Sequence, residues 1–145
     1  MIELKNITKD NLDDVLRLKV SKNQESFVSE NSYSLAQAWV YKNTAFPFAI
    51  YADNIIVGFI MLGYYEEKEQ YTLWKFMIDE KYQNRGYGKK ALTLAIDYLI
   101  KKFNIKSIFT GVAFENTTAK KLYQSLGFKE TGVVDETCLE MELKI

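Results

Sequence analysis

Hydrophobic residues change their spacing several times along this chain, and each change marks an element. Ile2 and Leu4 alternate with polar neighbours, which predicts a strand over 2–7. Thr8 to Asn11 then offer capping side chains, and Leu12, Val15, Leu16 and Leu18 recur at helical spacing. After a loop, Ser34 is placed to cap a second helix running through Tyr41. Apolar runs at 47–52 and 55–64 flank Asp53-Asn54, residue types suited to a tight hairpin turn, and Pro47 falls where the first of these strands would begin. A polar stretch rich in glutamate, 66–70, leads into the bulky run Leu73-Trp74-Lys75-Phe76-Met77-Ile78, a buried strand ending near Asp79. Ala91, Leu92, Leu94, Ala95, Tyr98 and Leu99 predict a helix over 89–102, and Ile105 to Val112 a further strand. Ala119, Leu122, Tyr123 and Leu126 share one stripe of a helix over 115–126, which Gly127 stops; strands at 128–134 and 137–144 follow.

This order gives antiparallel strands, one right-handed βαβ crossover and a closing hairpin. It predicts an α/β fold with a mixed, mostly antiparallel central sheet and helices on both faces. With 145 residues, 48% of them hydrophobic, the chain suits one domain over 1–145 with its own core. Nineteen basic residues balance nineteen acidic ones, so no global field draws nucleic acid or an anionic membrane, and neither is expected as a partner. The longest greasy region, 46–65, is broken by Asp53 and Asn54 and reads as a hairpin instead of a membrane span. The N-terminus lacks the apolar core of a signal peptide, and the single cysteine, Cys138, suits a reducing compartment; the expected location is the cytoplasm. The absence of histidine removes the usual zinc ligand and the commonest general base, so no metal is expected.

Candidate chemistry centres on Gln83-Asn84-Arg85-Gly86-Tyr87-Gly88, between the buried strand and the long helix. Glycine in a helix interior costs about 0.8–1 kcal/mol against alanine. Either the turn is a plain connector from strand to helix or an anion offsets that cost: first-turn N–H groups and the positive end of the dipole attract phosphate, and glycine lets the backbone approach it closely. No Gly-Lys-Ser/Thr follows, which excludes a P-loop, and the glycine spacing does not match a dinucleotide fingerprint.

The turn resembles the Gln/Arg-x-x-Gly-x-Gly/Ala signature of the GNAT acetyltransferases, with Gln83, Gly86 and Gly88 at its defining places. A second block, Asn116-Thr117-Thr118-Ala119-Lys120-Lys121-Leu122-Tyr123-Gln124-Ser125-Leu126-Gly127-Phe128, resembles that family's Asn-x-x-Ala-x-x-Leu-Tyr-x-x-x-Gly-Phe. The resemblance implies acetyl-CoA as co-substrate and direct attack of an amine on its thioester. Its diphosphate would lie on the main chain of Arg85, Gly86, Tyr87, Gly88 and Lys89, with Gln83, Asn84, Asn116 and Lys120 nearby, and its pantetheine arm along Phe76, Met77 and Ile78. Tyr123 would stand beside the departing sulfur as leaving-group stabiliser and general acid. Cys138, in a terminal strand, reads as packing. Where some members carry a carboxylate on the central strand this chain has Thr72 and Trp74, so the proton from the amine passes either to a water chain or to an acidic loop residue. A homodimer is also implied.

Residues 20–27 and 76–83 further resemble the bacterial spermine/spermidine acetyltransferases of that family. The acceptor would then be a polyamine, for which Glu25, Glu30 and Tyr64 are the first candidate contacts, followed by Glu66, Glu67 and Glu69. A GNAT enzyme for another amine (a protein N-terminus, an aminoglycoside or an amino acid) and a non-catalytic acetyl-CoA-binding module are the alternative readings.

Overall fold

A computed structural model describes residues 1–145. Strands β1 (Ile2–Asn6), β2 (Ala45–Ala52), β3 (Ile55–Tyr65), β4 (Gln70–Ile78), β5 (Ser107–Ala113), β6 (Lys129–Asp135) and β7 (Cys138–Lys144) form one sheet in the order β1-β2-β3-β4-β5-β7-β6. Helices α1 (Leu12–Arg17) and α2 (Asn31–Val40) separate β1 from β2, α3 (Tyr87–Phe103) joins β4 to β5, and α4 (Thr117–Ser125) joins β5 to β6. The β4·β5 pair is parallel and the others antiparallel, so the sheet is mixed as its element order predicts.

The two-residue period of β3 shows how both faces are covered. Phe59 and Met61 bury against Val15 of α1 and against Leu35 and Ala38 of α2. Ile60 and Leu62 bury on the other face with Ala91, Leu92, Ala95 and Leu99 of α3 and Tyr123 of α4. Asp53 and Asn54 take positive φ, 49° and 71°, which turns β2 tightly into β3. Pro47 pairs with Met61 on β3 and lies just past the last β1–β2 pair, Asn6 with Phe48, where its missing N–H leaves no β1 carbonyl unmet.

The second helix differs from its sequence-based prediction. It starts at Asn31 with Glu30 as N-cap, so Ser34 lies one turn inside, fully buried, its hydroxyl donating to the Glu30 carbonyl at 3.4 Å. A serine that bonds back to the preceding turn mimics a cap in sequence.

One irregularity shapes the site. Met61 pairs with Lys75 but Leu62 pairs with Leu73, so Trp74 is an extra residue on β4. Such a bulge bends its strand and increases its twist. Beyond it β4 and β5 part: their register pairs are Thr72 with Phe109 and Leu73 with Thr110, after which the β4 edge facing β5 has no strand partner.

Candidate active site

The parting of β4 from β5 opens a cleft of about 380 Å³. Phe76, Met77 and Ile78 line one side; Thr110, Val112 and Ala113 line the other. The turn after β4 closes the end. Asp79, buried, accepts from the N–H of Lys81 and of Lys19, each at 3.0 Å, which pins the strand's exit to the chain after α1. Gln83 donates at 2.9 Å both to the Ile78 carbonyl and to Gln24 Oε1, tying the turn to the α1–α2 loop. Its side chain thus builds the cleft's wall.

Asn84 (φ 64°) and Gly86 (φ 81°) adopt left-handed backbone and bring the chain to the start of α3, with Gly86 as N-cap. The helix's hydrogen bonding begins with the Lys90 N–H on the Gly86 carbonyl at 3.4 Å, leaving the N–H groups of the first turn available to an anion. A Cβ built on Gly86 meets nothing within 4 Å, whereas one on Gly88 would come within 3.2 Å of Phe76 Cζ. The two glycines therefore differ: Gly86 serves conformation and access, and Gly88 lets α3 sit close to β4. An open approach, a left-handed turn and free amides together fit a diphosphate, and the unpaired β4 edge fits an extended arm laid along it.

Tyr123 reaches this cleft from α4. It is 6% exposed, packs on Phe128 at 5.6 Å between ring centroids, and lines the cavity beside Thr110. Burial pushes its phenol up to about 12, partly opposed by the Thr110 side chain, so it is a proton donor throughout the neutral range. Asn116 caps α4, its Oδ1 accepting from the Ala119 N–H at 3.3 Å, and also lines the cleft. Asn84, Gly86, Tyr87 and Gly88 line it too. Arg85 leans over Tyr82 and donates to the Lys81 carbonyl at 3.2 Å, Lys89 is exposed on α3, and Lys120 pairs with Glu130 at 3.1 Å; none of the three lines the cleft. Nor does Cys138, half-buried on β7.

Gln24, Phe27, Val28 and Ser29 of the α1–α2 loop line the cleft, while Glu25 within that segment and Glu30 just after it are exposed and do not. Tyr64 lines a separate cavity under the β3–β4 hairpin. Lys75, which no sequence motif singles out, lines both spaces. Its ammonium donates to Ser29 Oγ at 2.9 Å and lies 5.7 Å from the Tyr33 ring centroid, with no carboxylate beside it, and burial lowers its pKa. A lysine inside an apolar strand run was the available signal. No group of three or more histidine, cysteine, aspartate or glutamate side chains is placed to hold a metal, and no helix is long and apolar enough to cross a membrane.

A parallel pair splayed at a bulge, with a left-handed glycine turn at one end and a buried tyrosine against it, is an arrangement that fits an acyl-CoA-dependent transferase. Residues 12–128 match the acetyltransferase (GNAT) family, and the chain belongs to it; it is an N-acetyltransferase that uses acetyl-CoA as co-substrate. It is 35% identical to the spermine/spermidine N(1)-acetyltransferase of Bacillus subtilis (strain 168) over 143 residues, covering 92% of this chain and 91% of that one. Its fold is similar to that of spermidine N-acetyltransferase from Vibrio cholerae, solved with CoA and spermine (TM-score 0.79, 21% identity, 99% and 95% of the two chains). It is also similar to the PaiA N-acetyltransferase of Thermoplasma acidophilum, solved with coenzyme A (TM-score 0.76, 21% identity, 100% and 99% covered).

Proposed function

We propose that this enzyme acetylates a primary amine of a polyamine such as spermine or spermidine, by direct attack of the amine on the acetyl-CoA thioester. The observation that carries the acceptor is the 35% identity to a spermine/spermidine acetyltransferase along nearly the whole of both chains.

The reaction needs three things from the protein. The thioester must be held still, and the unpaired edge of β4 past Leu73 together with the Gly86 turn supports that role. The amine must lose a proton before its nitrogen can attack. A cation beside it favours the neutral form, and Lys75, on the acceptor side of β4 with no carboxylate partner, supplies that field. Finally the carbon–sulfur bond breaks and the thiolate must be stabilised. The Tyr123 hydroxyl, held protonated by burial, donates to it as the bond breaks. The amine gives up two protons, one to solvent before attack and one as the tetrahedral adduct collapses; the second restores the Tyr123 hydroxyl after it has protonated the sulfur, so amide, free thiol and unchanged tyrosine remain.

Incubation with acetyl-CoA and spermidine should yield monoacetylated spermidine by mass spectrometry, and incubation without an amine should leave the protein unacetylated. A stable acetyl-protein that then passes its group to amine would overturn direct attack.

A further inference from the structure

On the α2 side of the sheet the β3–β4 hairpin shelters a second cavity, of about 400 Å³. Its walls are electron-rich: Tyr41 stands edge-on to Trp74 at 5.9 Å between centroids, and Tyr65 leans on the same indole at 5.4 Å. Glu66 and Glu67 also line it, exposed and outside every salt bridge in the structure. Gln37 contributes a buried Oε1 that has no hydrogen-bond partner. Trp74 and Lys75 line both this cavity and the acyl-transfer cleft, so the two spaces meet at the β4 bulge.

We propose that this cavity is the subsite for a distal ammonium of the acceptor. The proposal rests on the polyamine reading above and names where the rest of the polyamine lies. Aromatic faces attract an ammonium, two unpaired carboxylates neutralise it, and the Gln37 carbonyl oxygen is an acceptor in search of a donor. The one cation lining the cavity, Lys75, is held by Ser29 Oγ at 2.9 Å, so the site carries two carboxylates against one ammonium. Lys75 also orders the charges along the acceptor. The amine that enters the cleft lies on its cationic side and is favoured as the neutral nucleophile, while the distal amine stays charged among Glu66, Glu67 and the tyrosines. A monoamine lacks the group that would occupy this cavity, and an acidic acceptor would meet repulsion there.

Steady-state kinetics with spermidine and with butylamine, on the wild type, the Glu66→Gln/Glu67→Gln double variant and Tyr65→Leu, tests the assignment. The glutamates are exposed, so the double variant should fold as the wild type does. The expected result is a fall of about tenfold in the ratio of kcat/KM for spermidine to that for butylamine in the double variant, the scale of removing two partly exposed ion pairs. A smaller fall is expected in Tyr65→Leu, which keeps apolar bulk and loses the π face. An unchanged ratio in both variants, with spermidine still turned over, would overturn the subsite and leave the polyamine reading standing. A wild type that acetylates no polyamine would overturn both.

Discussion

At the scale of single residues, Tyr123 carries the sharpest expectations. Tyr123→Phe keeps the ring on Phe128 and removes the donor, so turnover should fall about 10- to 100-fold while acetyl-CoA affinity, measured calorimetrically, changes little. Unaltered turnover would return the residue to packing. The same hydroxyl makes a stability prediction. Its folded pKa of about 12 lies above the ordinary tyrosine value near 10, so between those values the unfolded chain has lost a proton that the native state retains. Stability should be fully present below about pH 10 and decline toward pH 12, and chemical denaturation should show less of that alkaline loss in Tyr123→Phe. Tyr123 was legible in the sequence because a phenol on an apolar helical stripe sat inside a recognisable block. Lys75 was not: in a run of bulky residues one lysine reads as noise, and only the bulge turns its stem toward the α1–α2 loop.

Elements show where periodicity is trustworthy. On α3, Ala91, Leu92, Ala95 and Leu99 are buried as their spacing requires, but Leu94 is 37% exposed, because a stripe drawn from apolarity alone is wider than the contact with the sheet. On α1 the same excess appears: Val15 is fully buried while Leu12 and Leu16 are exposed. The splay of β4 from β5 was not legible, since a bulge depends on register between strands and leaves no mark in one strand's own pattern. Gly63 exposes that device to test. A Cβ there would lie 2.5 Å from the Trp74 indole, which is already wedged against Tyr41 and Tyr65. Gly63→Ala should therefore destabilise the protein by about 1–3 kcal/mol in urea denaturation, and wild-type stability would show that the bulge has room to relax. The turn makes the opposite case. The Cβ of Gly86→Val would meet no protein atom, so the main folding cost is the left-handed backbone, about 1–2 kcal/mol, whereas acetyl-CoA affinity should be abolished. Retained affinity in the folded variant would remove the diphosphate from this turn.

Across the chain, zero formal net charge leaves no long-range field to gather a polycation, so selectivity for a polyamine would have to come from local carboxylates. Strand β6 ends the sheet and is exposed along its length, with Val133 and Val134 at 52% and 59%. The homodimer implied by family resemblance would cover such an edge; sedimentation showing twice the chain mass, reduced to monomer by Val134→Lys, would support it, and a monomeric wild type would remove it. Acetyl transfer to a polyamine would show as thiol release from acetyl-CoA, measured with spermine, spermidine, putrescine, lysine, an aminoglycoside and an N-terminal peptide. Release should be fastest with spermine or spermidine and should weaken as salt screens the acceptor's charges. Release with another amine in the absence of any polyamine turnover, or coenzyme binding with no release at all, would contradict it.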